Sequence, residues 1–201
     1  MFSKDLGIDL GTMFTRFADN NNVLLEEPTI VAIEVEDQKM VAAGIEARDM
    51  YGKVPESIEV ARPLRSGVIA DYEITETLLA YLLQRASGSM RIFRPRVMIS
   101  VPYGVTSVER RAVYEAVMEA GSREAYLIQQ PLAAAIGIDL PINSPSGNMI
   151  ICLGGGCTEA AVMAMYGIVA ADTLRVGGMD LDEAIVNYVR RKYGVIIGQQ
   201  T

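Results

Sequence analysis

The chain has 201 residues, 50% of them hydrophobic, with a formal charge of −7 and no histidine. This length carries one sizeable core, or one domain and part of a second. The acidic balance disfavours general nucleic-acid binding through phosphate neutralisation, and acid–base chemistry is left to carboxylates, lysine, tyrosine and cysteine.

In chain order, residues 6–11 read as an apolar strand ending in a glycine turn, and 15–18 as its return strand. Glu27-Pro28 breaks the pattern, 29–35 is β-branched and strand-like, and 41–43 is another short strand. Residues 74–86 place Leu78, Leu79, Leu82 and Leu83 at helical spacing. The apolar run 97–101 fits a buried parallel strand. Thr106-x-x-Glu109 is a capping-box pattern opening a helix that Gly121 closes, with Val113, Ala116, Val117 and Ala120 as its buried stripe. A strand at 126–128 precedes a small-residue helix that starts at Pro131 and ends near Gly137. The turn formers at 143–147 mark the best domain boundary. Beyond it, 149–153, 160–165 and 168–174 read as strands. Asp180-x-x-Glu183 is expected to cap a last helix reaching about Tyr193, with Leu181, Ala184, Ile185, Tyr188 and Val189 facing the core. Strands mixed with helices in this order predict an α/β protein with a mixed sheet.

The longest apolar runs fall far short of the roughly 18 residues needed for a membrane-spanning helix. Met1-Phe2-Ser3-Lys4-Asp5 lacks the basic flank and apolar stretch of a secretory signal. Two cysteines make no disulfide framework. The expectation is a cytoplasmic protein.

Two segments echo each other across the boundary. Ile8-Asp9-Leu10-Gly11-Thr12 and Ile151-Cys152-Leu153-Gly154-Gly155-Gly156-Cys157-Thr158 each place an apolar strand before a glycine turn and a second strand. Glycine lets backbone N–H groups approach a phosphate with no Cβ in the way, and Thr12 and Thr158 add hydroxyls. A facing pair of such hairpins would clamp a polyphosphate. Two ordinary β-hairpins are the alternative reading, because short glycine motifs are weak signals. Cys152 and Cys157 flank the second turn, where a disulfide or a soft-metal site is conceivable. A structural metal wants four ligands, so a small buried apolar role for Cys152 is the expectation.

These motifs carry a family resemblance. Gly7-Ile8-Asp9-Leu10-Gly11-Thr12, Arg62-Pro63-Leu64-Arg65-Ser66-Gly67-Val68-Ile69-Ala70-Asp71, Val108-Glu109-Arg110-Arg111-Ala112 and Pro131-Leu132-Ala133-Ala134-Ala135-Ile136-Gly137 resemble the bacterial rod-shape-determining MreB family in order and spacing, and Gly154-Gly155-Gly156 and Asp182-Glu183-Ala184-Ile185 continue the match. The resemblance implies an actin-like (ribonuclease H-like) fold with mixed sheets flanked by helices. It implies a nearly complete first domain at 1–144, with a small inserted subdomain at about 30–75, and a partial second domain at 145–201. Its cofactors would be ATP and Mg²⁺. The nucleotide site would comprise Gly11, Thr12, Met13, Phe14 and Thr15 on one hairpin and Gly154, Gly155, Gly156, Cys157 and Thr158 on the other. The implied partners are further copies of the chain or a complete MreB-type protein, at the inner face of the cell membrane and with no nucleic acid. The implied role is organising cell shape and wall synthesis. The resemblance also places the end of the chain just before the segment that contacts the adenosine, so that apolar surface of the second domain is expected to be left open.

The departures cluster at the chemistry. Gln130 stands where the family has a water-positioning glutamate; it can orient water, but it cannot take a proton at neutral pH. Cys152 stands where an aspartate helps hold hydrated Mg²⁺, and a thiol is a poor ligand for that ion. Asp9 remains to hold one side of it through water. Met179 replaces another acidic residue, and Met13 and Phe14 add bulk to the first turn. Weak or absent ATP hydrolysis is expected, with slow Mg-ATP hydrolysis through Gln130 and Asp9 as the alternative. No acidic residue occurs between 77 and 108, and Ser89-Met90-Arg91-Ile92-Phe93-Arg94 alternates apolar and cationic residues. That pattern suits acyl-boundary insertion of Ile92 and Phe93 with Arg91 and Arg94 at anionic head groups, which the family resemblance also implies.

Overall fold

The computed structural model describes residues 4–20, 22–88 and 94–198. The chain opens with a three-strand meander, β1 (Asp5–Leu10), β2 (Phe14–Asp19) and β3 (Asn22–Pro28). A small unit follows: β4 (Val31–Glu34), β5 (Lys39–Ala43), α1 (Ile45–Met50) and β6 (Ile58–Ala61), then the short pair β7 (Leu64–Arg65) and β8 (Val68–Ile69). Next come α2 (Tyr72–Ser87), β9 (Arg96–Val101), α3 (Ser107–Glu119), β10 (Glu124–Gln129) and α4 (Gln130–Gly137). The chain continues through a second meander, β11 (Asn148–Leu153), β12 (Thr158–Ala164) and β13 (Gly167–Leu174), and into α5 (Gly178–Tyr193).

The main sheet has the order β10-β9-β1-β2-β3. Its β1–β9 and β9–β10 pairings are parallel and its β1–β2 and β2–β3 pairings antiparallel, so the mixed α/β architecture expected from the sequence is present. Alternation along β1 sends Leu6, Ile8 and Leu10 into the core and leaves Asp5, Gly7 and Asp9 on the other face. The core face is covered by Leu78, Leu79 and Leu82 of α2 and by Val113, Ala116 and Val117 of α3. The capping box opening α3 is fully formed: Thr106 Oγ1 accepts from the Glu109 N–H at 3.2 Å, and Glu109 Oε2 accepts from the Thr106 N–H at 2.7 Å.

The second sheet has the order β11-β12-β13. One face packs on α4 through Ala135, Ala161 and Met163, with Ile142 from the connecting segment. A third sheet, β5-β4-β6, forms its own small core from Ile30, Ala32 and Ala47.

The structure corrects four expectations. Glu27-Pro28, read as a break, instead ends an antiparallel edge strand over residues 22–28 whose terminal Pro28 pairs with Phe14, a place where a missing N–H is tolerated. The short elements α1, β6, β7 and β8 carry too few periodic apolar residues to have been foreseen. Helix α2 starts two residues before the expected 74, because Asp71 Oδ1 accepts from the Ile74 N–H at 3.1 Å. Helix α5 opens at Gly177 rather than at Asp180, whose carboxylate instead reaches back to the Gly177 N–H at 2.7 Å. No residue of α5 is buried, and its supposed core side is open, with Leu181 63% and Ile185 57% exposed.

Candidate functional site

The β1–β2 and β11–β12 turns are built alike. The Gly11 N–H donates to the Phe14 carbonyl at 3.1 Å, and the Gly154 N–H donates to the Cys157 carbonyl at 2.9 Å, so one four-residue closure occurs twice. The strand registers match too. Asp9 lies opposite Arg16 on the first hairpin, and Cys152 lies opposite Glu159 on the second.

The two turns meet. A Cβ added at Gly155 would fall on the Met13 side chain, and one at Gly156 would fall on the Thr12 hydroxyl. Glycine is required at both positions for this approach. Thr12, 4% exposed, is fixed from outside the hairpin: its hydroxyl oxygen accepts from the Gly67 N–H at 3.0 Å. Arg62 donates to the carbonyls of Thr12, Met13 and Thr29.

Beneath the turns lies a cleft of ≈ 900 Å³, whose lining includes Asp9, Met13, Phe14, Gln130, Cys152 and Glu159. A second cleft of ≈ 800 Å³ lies between the β4–β6 unit and α5, and Thr12 and Gly156 line both. Of the residues expected to hold a nucleotide, Gly11 to Phe14 and Gly154 to Cys157 border the first cleft. Two do not. Thr15 is fully buried, sharing a 2.8 Å hydrogen bond with the Thr29 hydroxyl, and the Thr158 hydroxyl donates to the Val176 carbonyl at 2.8 Å. Gln130 lines the cleft as the first residue of α4. Arg91, Ile92 and Phe93 lie outside the described residues, and Arg94 is exposed.

The electrostatics of the cleft differ from wall to wall. Asp9 Oδ1 accepts from the Ser100 hydroxyl at 3.0 Å, and Oδ2 pairs with Arg16 Nη1 at 3.4 Å. Arg16 Nε donates to Glu26 at 2.6 Å, and this bond holds the guanidinium pKa above its usual value. On the facing wall, burial first, then Glu159 and Asp9, push the Cys152 thiol up, and burial is the main cause that pushes Cys157 up to about 11. Both thiols are therefore neutral at pH 7 and free, which removes the disulfide reading. Among the described residues no three Cys, Asp or Glu side chains are grouped to hold a metal ion. The donor set does not fit magnesium, since its one carboxylate on the first hairpin already has a cation partner and its counterpart is a thiol.

Glu159 was not singled out from the sequence. It is 1% exposed, and its Oε1 accepts from the Tyr103 N–H at 2.6 Å and from the Thr173 hydroxyl at 3.2 Å. Its Oε2 is buried and has no hydrogen-bond partner. Burial is the leading effect and raises its pKa against the pull of those two donors. Two neighbouring links join the same segments: the Gly104 N–H donates to Thr173 Oγ1 at 3.2 Å, and Arg175 Nη2 donates to Glu109 Oε1 at 2.9 Å. The loop after β9 and the start of α3 are thus strapped to β12 and β13. The signal for Arg16 and Glu159 was present in the sequence, since each sits seven residues after the strand position it opposes.

Comparison with known proteins adds a frame to this geometry. The family described as "MreB/Mbl protein" matches residues 3–201. The cell shape-determining protein MreB of Haemophilus influenzae is 45% identical over 207 residues, covering all of this chain and 59% of that protein. The MreB of Escherichia coli K12 is 44% identical over 207 residues, covering all of this chain and 60% of that protein. Among solved structures, MreB 5 of Spiroplasma citri bound to AMPPNP superposes with a TM-score of 0.91 at 32% identity, covering all of this chain and 61% of that one. The chain thus spans about three-fifths of the length of the relatives it matches.

Proposed function

Since this chain belongs to the MreB/Mbl family and has its actin-like fold, we propose that it is a cell-shape protein of the MreB type whose cleft admits a nucleotide but hydrolyses it weakly or not at all. One observation carries this reading: two hairpins with the same closing hydrogen bond meet tip to tip, yet the strand entering the turn carries a carboxylate, Asp9, on the first and a thiol, Cys152, on the second. The AMPPNP in the Spiroplasma citri relative supports a nucleotide in the cleft. Gln130 orients water without accepting its proton. Met13, packed against Gly155, narrows the space between the turns.

In the same reading residues 1–144 form the first domain, with 30–75 as its insert, and 145–201 form part of the second. The protein works by self-association or by joining filaments of a complete MreB-type protein, in the cytoplasm at the inner face of the membrane, where Ile92 and Phe93 insert.

Phosphate release from ATP tests the catalytic half of the proposal. The wild-type chain is expected at background, and the double change Cys152→Asp with Gln130→Glu is expected to raise release by at least about tenfold, in line with a restored base and metal ligand. Robust wild-type turnover would favour slow Mg-ATP hydrolysis through Gln130 and Asp9 instead. Co-sedimentation with anionic vesicles, comparing wild type with Ile92→Ser plus Phe93→Ser, tests the membrane half; equal binding refutes it.

A further inference from the structure

The cleft lacks a magnesium donor set but contains a fixed cation. Arg16 lies directly opposite Asp9 on the first hairpin and lines the cleft beneath the turns. Its Nε goes to Glu26 and its Nη1 to Asp9, which leaves Nη2 for a third partner. The guanidinium lies over the Phe14 ring, with its carbon 5.7 Å from the ring centre. A divalent ion between a phosphate chain and two carboxylates neutralises charge and fixes orientation; a planar guanidinium performs both tasks for phosphate oxygens with its own N–H fork.

The opposite wall adds little repulsion that a metal would have to cancel. Cys152 carries a thiol in place of a charge, and Glu159, whose Oε2 is buried without a partner, is pushed by that burial toward its uncharged form against the pull of the Tyr103 N–H and the Thr173 hydroxyl on Oε1. Met13 is unbranched and flexible, so it can swing from between the turns when the cleft fills.

We propose that this cleft binds nucleotide phosphates without a divalent cation, with Arg16 supplying the positive charge. The inference rests on the nucleotide reading above and specifies its cofactor requirement.

Titration of the chain with a fluorescent ATP analogue, in magnesium and in EDTA, tests it. The dissociation constant is expected to be the same in both. Arg16→Met should weaken binding by roughly tenfold or more, and Arg16→Lys, which keeps a cation but loses the fork, should weaken it less. Circular dichroism checks that both variants fold, and the lysine variant carries the test if the methionine variant does not. Cys152→Asp should make binding magnesium-dependent. Wild-type binding that tightens about tenfold with magnesium overturns the proposal while leaving the nucleotide reading intact. Binding indifferent to both Arg16 changes overturns the role of Arg16. Absence of binding in either buffer removes the nucleotide reading, and this inference with it.

Discussion

In the five-stranded sheet, Ile8 on β1 and Ile99 on β9 are sealed beneath Leu78, Leu82 and Val117. In the three-stranded sheet only one face is covered, by α4, and the other shows Met149, Ile151 and Leu153 of β11, the last 81% exposed. Both sheets nevertheless present the same glycine turn at the same place. The first turn stands on the large core and is held from outside by Gly67 and Arg62, whereas the second stands on the small core under α4 and on the strap to the loop after β9. Identical local geometry can therefore rest on unequal support, and the chemistry of the cleft depends on the weaker side.

The largest test of that contrast is truncation of matching side chains. Leu82→Ala should cost about 3 kcal/mol in urea unfolding, as buried leucines do, whereas Leu181→Ala on α5 should stay within about 0.5 kcal/mol. Equal losses would mean that α5 is covered in solution, and a concentration-dependent midpoint would identify a second copy as the cover. Next in size is Arg85→Met. Arg85 bonds Glu27 at 2.6 Å, and the Glu27 side chain is only 5% exposed while also accepting from the Ile45 N–H. Stranding that carboxylate should cost about 2 kcal/mol, moderated because the arginine end remains partly solvated.

Gly67→Ala follows. Its φ is +82°, and an added Cβ would lie 2.9 Å from Cys157 Sγ. A loss of about 1–2 kcal/mol is expected, with broadening of the Thr12 amide resonance because Gly67 donates to Thr12. The smallest effect is Arg175→Ala, about 0.5 kcal/mol for a solvated pair. Its readout is local: faster hydrogen exchange at Tyr103 and Gly104 with no change at Ile99. Faster exchange at Ile99 as well would mean that the sheets do not move independently.

What the sequence made legible was whatever repeats or follows a local rule. The leucines of α2, the Thr106–Glu109 box and the paired glycine turns all do so, and they led to the right fold. Strand β3 was missed because its exposed Glu26 and terminal Pro28 follow edge-strand rules, which resemble those of a loop. The α5 face was misassigned because an amphipathic pattern states that a side is apolar, not that anything lies on it. The burial of Glu27 was overlooked because a single buried carboxylate leaves no period; its partner, Arg85, is 58 residues away. Arg16 was within reach of simple register counting from Gly11.

The strap also bears on the order in which the molecule forms. Strand β1 cannot acquire its parallel neighbour until residue 96 exists, whereas β11, β12 and β13 pair only with the strand next in sequence and close as quickly as any meander. The strap's three links span 56, 69 and 66 residues. Refolding should therefore show two clocks: early protection within 148–174, and a slower phase in which that preassembled piece docks and the second turn first acquires its opposite number.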